Sequence, residues 1–129
     1  MPSRLVRPTE SELEILTVLW SRGPSTVRDV YETLRRKRKS AQYATVLKFM
    51  QIMAQKGLLE RDETDRAHVY TPLHSRELIQ QQLAGDLLQR GFDWSMKNLL
   101  IGALSARKAT KEELAELRNL LDEYEKGTK

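Results

Sequence analysis

Residues 40–72 read SAQYATVLKFMQIMAQKGLLERDETDRAHVYTP, and within them a helix, a glycine stop and a charged hairpin follow in immediate succession. The helix is expected from about Ala41 to Lys56, with Val46, Leu47, Met50, Met53 and Ala54 on one side and Gln42, Thr45, Lys48 and Ile52 on the other. Gly57 stops it. Leu58-Leu59-Glu60-Arg61-Asp62-Glu63 then supplies a short apolar start and a polar run, Thr64-Asp65-Arg66 a turn, and Ala67-His68-Val69-Tyr70-Thr71 a returning strand closed by Pro72. That order is the second half of a winged helix-turn-helix, whose third helix enters the major groove of DNA.

Upstream, Thr9-Glu10-Ser11-Glu12 has the spacing of a capping box, so a helix is expected to begin there and to carry Leu13, Leu16, Leu19 and Trp20, with Ile15 and Val18 alongside, until Gly23-Pro24. Ser25 can cap a second helix, in which Val27, Val30, Tyr31 and Leu34 form the buried stripe and Arg28, Asp29, Glu32 and Arg35 face water. That helix ends in the basic run Arg35-Arg36-Lys37-Arg38-Lys39. Cations at a helix C-terminus oppose its macrodipole and need no ligand. Five in a row exceed that need, and beside a DNA backbone they would supply phosphate contacts that orient without reading sequence.

The third helix would present Gln42, Thr45, Lys48, Phe49 and Ile52 to base edges. Phe49 and Ile52 are unusual on a polar face; thymine methyl groups could accept them, and for Phe49 contact with the wing is an equal alternative. Tyr43 points toward the core by the helical count, yet its place in the first turn could aim it at a phosphate. The hairpin from Leu59 to Pro72 would be the wing, with Arg66 at its tip reaching the adjacent backbone and Arg61 assisting. Arg28, Arg36, Lys37, Arg38, Lys39, Lys56, Arg61 and Arg66 are thus the expected backbone contacts.

The net charge of +4 is unevenly placed. Residues 1–72 hold 13 Lys/Arg against 9 Asp/Glu, whereas residues 73–129 hold 9 of each. A basic half joined to a neutral half fits a nucleic-acid-binding domain tied to a self-association domain, because phosphate contacts need fixed cations and a dimer interface does not. A merely solvated basic face would look the same by charge alone.

Beyond Pro72 the pattern is purely helical. Ser75 can cap a helix bearing Leu78, Ile79, Leu83, Leu87 and Leu88 up to Gly91, and a second run carries Trp94, Met96, Leu99, Leu100, Ala103 and Leu104. Thr110-Lys111-Glu112-Glu113 is another capping box, after which Leu114, Leu117, Leu121 and Tyr124 alternate three- and four-residue steps, the seam of paired helices. Leu83, Leu87, Trp94, Leu99, Leu100, Leu114, Leu117, Leu121 and Tyr124 are the expected dimer contacts; the alternative is that these helices fold back on the winged domain.

Composition closes off several chemistries. The 129 residues are 40% hydrophobic, the proportion of an ordinary globular chain. The absence of cysteine excludes disulfides, thiolate metal sites and a nucleophilic cysteine. His68 and His74 are the only histidines, one on the wing and one in a connecting loop, with no phosphate-binding glycine loop and no metal-ligand spacing, so neither enzyme chemistry, a metal nor a cofactor is expected. No run of about 18 apolar residues exists, and the opening Met1-Pro2-Ser3-Arg4 lacks a signal peptide's apolar core, so a cytoplasmic location without a membrane is expected.

Five ordered motifs make a more specific match: Glu14-Ile15-Leu16 with Leu19-Trp20, Gly23-Pro24-Ser25-Thr26-Val27-Arg28-Asp29-Val30, Thr45-Val46-Leu47, Lys56-Gly57-Leu58-Leu59, and Arg66-Ala67-His68-Val69-Tyr70. From about Thr9 to Ser75 the chain resembles the penicillinase repressor family, of BlaI, MecI and CopY type, with a weaker helical correspondence beyond. The resemblance implies homodimeric repressors that bind a palindromic operator in double-stranded DNA through winged helices and dimerise through C-terminal helices. It also implies groove contacts by Tyr43, Ala44, Thr45 and Lys48, with Arg66 on the wing, and an upstream sensor or protease partner. This chain departs from the family pattern in three ways. Ile52 stands where many members have arginine, Gly102-Ala103 stands where the penicillinase branch is cut at Asn-Phe, and the cysteines of the copper branch are missing. The expected fold is mainly α with a small β-hairpin: a winged helix-turn-helix DNA-binding domain over 1–73 and a helical dimerisation domain over 74–129. A winged-helix module for protein contact, without sequence-specific DNA binding, is the alternative.

Overall fold

The computed structural model describes residues 7–127; residues 1–6, which include the Met1-Pro2-Ser3-Arg4 stretch, and residues 128–129 lie outside it. Six helices and one hairpin follow in the order α1 (Glu10–Arg22), α2 (Val27–Lys37), α3 (Tyr43–Lys56), β1 (Leu59–Asp62), β2 (Val69–Pro72), α4 (Arg76–Gly91), α5 (Met96–Ala106) and α6 (Lys111–Gly127). The mainly α class with a small hairpin is therefore the observed one.

Local chemistry sets the helix ends. The Glu12 N–H donates to Thr9 Oγ1 at 3.2 Å and the Thr9 N–H donates back to Glu12 Oε1 at 2.9 Å, the reciprocal capping box at the start of α1. At α2 the cap is Thr26, not Ser25. Thr26 Oγ1 accepts from the Asp29 N–H at 3.1 Å and Asp29 Oδ2 accepts from the Thr26 N–H at 3.2 Å. Ser25 is instead buried and forms a β-bridge to Tyr70, its N–H donating to the Tyr70 carbonyl at 3.1 Å and its carbonyl accepting from the Tyr70 N–H at 2.8 Å. Gly57 ends α3 at φ 86°, with its N–H on Ala54 O and the Leu58 N–H on Met53 O, a Schellman closure that needs a left-handed residue.

The hairpin pairs Leu59 with Pro72 and Asp62 with Val69, antiparallel. Two strands alone are marginal in water. Their inner ends are secured by burial: Leu59 and Tyr70 join Ile15, Leu16, Leu19, Val30, Val46, Met50, Met53 and Leu58 in one core.

The chain divides into two compact units, the first running through Leu83 and the second from Ala84. The boundary falls later than residue 73 because the start of α4 is tied to α1. Ile79 is buried, Trp20 Nε1 donates to the His74 carbonyl at 3.2 Å, and the Arg76 guanidinium lies 5.9 Å from the centre of the Trp20 ring. The second unit has a different character: neither α5 nor α6 contains a buried residue. Between its helices, Asp93 (φ 48°) and Trp94 (φ 63°) take left-handed backbone conformations, which are uncommon for bulky side chains. The Trp94 N–H donates to the Leu88 carbonyl at 2.7 Å, and Ser95 caps α5.

Candidate nucleic-acid interface

Around α3 the buried arc is Val46, Met50 and Met53, with Leu47 and Ala54 half-buried beside it. Stepping about 100° per residue from that arc, the opposite stripe is Ala44, Lys48, Gln51 and Gln55, and all four are exposed. Gln42, Tyr43 and Thr45, at the N-terminal end, are exposed as well. Gln42 occupies the N-cap position without a side-chain cap, so the first N–H groups of α3 keep their positive end toward solvent. No Asp or Glu occurs anywhere in α3, and its only charges are Lys48 and Lys56.

Two expected base contacts are rotated off this stripe. Phe49 is half-buried against the core and lines a groove of about 140 Å³ with Glu14, Ile15, Leu34 and Arg38, which places it against α1 and α2 rather than the wing. Ile52 is half-buried too. The helical count put Gln42, Thr45, Lys48 and Ile52 on the polar side, whereas the core sits so that Lys48 lies within the exposed stripe and Ile52 at its edge. Gln51 and Gln55, which the helical count did not single out, lie on that exposed stripe, and the same periodicity measured from the opposite face finds them.

The backbone-contact candidates separate in the same manner. Lys56 is engaged within the chain: its Nζ donates to both carboxylate oxygens of Glu12, at 2.9 and 3.0 Å, and Glu12 is only 2% exposed. Arg38 makes a two-pronged contact with Glu14 at 3.0 and 3.1 Å. Arg61 pairs with Glu63 and hydrogen-bonds the Tyr70 phenol; that bond first, and then Glu63, holds its guanidinium still more firmly protonated. Arg36, Lys37 and Lys39 at the end of α2, and Arg66 in the wing loop, are exposed. Arg35, Arg36 and Lys39 line a concave basic surface with Glu32.

Arg28 connects the two helices of the helix-turn-helix. Its guanidinium lies 5.1 Å from the centre of the Tyr43 ring, and the Tyr31 ring meets Tyr43 edge-on, with centroids 5.6 Å apart and planes at 79°. Tyr43 therefore faces α2 and solvent, not the core. Asp29, on the same turn of α2, titrates below its ordinary value because the Thr26 backbone N–H hydrogen-bonds it, with help from the Thr26 hydroxyl and Arg22.

Of the expected dimer contacts, Leu87, Trp94, Leu100, Leu121 and Tyr124 are exposed, and Leu83, Leu99, Leu114 and Leu117 are half-buried. Among the described residues no group of acidic or histidine side chains is arranged to hold a metal ion, and no helix is long and apolar enough to cross a membrane.

The family model described as penicillinase repressor matches residues 8–123. Two relatives, each the transcriptional regulator BlaI of Mycobacterium tuberculosis, from strains CDC 1551 / Oshkosh and ATCC 25618 / H37Rv, are 35% identical over 126 residues, which cover 97% of this chain and 90% of theirs. The solution structure of the DNA binding domain of the repressor BlaI superposes with a TM-score of 0.50 at 21% identity, covering 58% of this chain and 90% of that one, a likeness of fold.

Proposed function

Because this chain belongs to the penicillinase repressor family, whose members regulate transcription rather than catalyse reactions, we propose that it represses transcription by binding a palindromic operator as a homodimer. The observation that carries this reading is the acid-free exposed stripe of α3, flanked by cations from α2 and the wing. Base edges in a major groove are read by amides, hydroxyls and cations, and carboxylates facing phosphate would be repelled. In this reading Gln42, Tyr43, Ala44, Thr45 and Lys48 meet bases, and Arg28, Arg36, Lys37, Lys39 and Arg66 meet phosphates. The exposed leucines and aromatics of the second unit are covered by a second copy, because α5 and α6 contain no fully buried residue within their own chain. The wing's own carboxylates, Glu60, Asp62, Glu63 and Asp65, keep its contact with DNA confined to the tip.

Salt titration of duplex binding tests this. Five cations per protomer make up to about ten phosphate contacts in a dimer, and six to ten such contacts cost about 10³- to 10⁵-fold in affinity between roughly 50 and 200 mM salt. A flat response across that range contradicts the proposal and favours a protein-contact module.

A further inference from the structure

We propose that Gln51 is a specificity-determining residue, which reads an adenine in the operator through its side-chain amide. The inference rests on the DNA-binding reading above and adds to it the chemistry of one base pair. Gln51 lies three residues beyond Lys48 and seven beyond Ala44, so all three occupy one exposed line along α3, and Gln51 stands at the middle of the helix rather than at its fraying end. Its amide is held by no neighbour in the core, since the buried arc lies on the other side. One flank is the wing: Gln51 and Gln55 share a groove with Leu59, Arg61 and Glu63.

The neighbouring charges fix which partner suits this place. Arg61 is paired with Glu63 and Tyr70, and Lys48, the nearest cation on the stripe, sits one turn earlier, so the group offered at this position is the Gln51 amide itself. Half-buried Ile52, the next residue, offers no polar atom at all. That leaves a neutral group with one donor and one acceptor. Among the four base pairs, such a group is matched in two places at once by adenine, whose N6 amino group donates to the amide oxygen while N7 accepts from the amide nitrogen. Guanine presents two acceptors, which an arginine satisfies and an amide does not. Adenine is thus the base matched under Gln51.

The test uses the full chain and a library of randomised duplexes. Wild type should enrich an A·T pair at one position in each half-site. Gln51→Ala should lose about five- to 150-fold discrimination at that position and keep its preferences elsewhere, and Gln51→Arg should move the preference to G·C. A second measurement changes the DNA instead: replacing that adenine by 7-deazaadenine, which lacks the N7 acceptor, should weaken wild type and leave Gln51→Ala unchanged. Identical base preferences in all three proteins, or equal sensitivity of wild type and Gln51→Ala to 7-deazaadenine, overturns the assignment while leaving the DNA-binding reading intact. Failure of wild type to select any sequence overturns both.

Discussion

Lys56→Met removes the cation from a carboxylate that has already lost its water. Glu12 is buried, donates its N–H to the Thr9 cap, accepts the Thr9 N–H, and receives both of its charge-assisted bonds from Lys56 Nζ at 2.9 and 3.0 Å. Breaking a buried pair by removing one partner costs about 3–5 kcal/mol. The Lys56 side chain is 31% exposed, so water reaches the ammonium and the expected loss is nearer about 2–3 kcal/mol. Burial pushes the Glu12 carboxyl up, and the hydrogen bonds from Lys56 and Thr9 together with the Lys56 charge more than offset it, leaving the carboxyl below its ordinary value of 4.5. A depressed carboxyl contributes stability that is present above its unfolded value and lost as pH falls through the folded one. In the variant the Lys56 bonds and charge are gone, so the Glu12 carboxyl lies higher than in wild type and protonation relieves the buried charge more readily. The stability gap between wild type and Lys56→Met should therefore be widest near about pH 7 and shrink toward about pH 4. Urea unfolding followed by circular dichroism at several pH values measures it. Glu12→Gln combined with Lys56→Met should recover part of the loss, because glutamine keeps the capping box and carries no charge. A gap under about 0.5 kcal/mol, or one independent of pH, refutes the argument.

Gly57→Ala should cost about 1–2 kcal/mol through backbone strain alone, since φ is 86° and an added Cβ meets nothing within 4 Å; an unchanged urea midpoint contradicts this. Thr26→Ala should lose about 1 kcal/mol by removing the α2 cap, read in the same unfolding experiment, with no loss if the cap is dispensable. Truncation after Arg107 should leave a folded, largely monomeric protein whose operator affinity falls about 10²- to 10⁴-fold as the half-sites become independent. Retained dimerisation in sedimentation would sink that assignment.

Much of the fold was legible because its signals are local. The Thr9–Glu12 box, the Gly57 stop and the hairpin each depend on residues within a few positions of one another. Ser25 was misread for the opposite reason: adjacent hydroxyls at 25 and 26 are equivalent locally, and only the distant Tyr70 strand decides that 25 pairs and 26 caps. The site shows the same limit. Periodicity gave the apolar side of α3 but not its rotation, which α1 sets by covering Phe49 and holding Lys56. An aromatic and a lysine on a polar stripe look like ligand contacts until the element opposite them is known. For the second unit the pattern announced exposed apolar faces, and the fold of one chain leaves them exposed.

The Ser25–Tyr70 bridge has a consequence for motion. It adds two backbone hydrogen bonds between segments 45 residues apart, so the inner end of the wing can open only when the packing of the first three helices opens with it. The Tyr70 amide should exchange with deuterium at the rate of global unfolding, while amides in the loop from Asp65 to His68 exchange far faster. The wing is then a stiff lever with a loose tip: its angle to α3 is fixed before any duplex arrives, and only the last few residues are left to adjust.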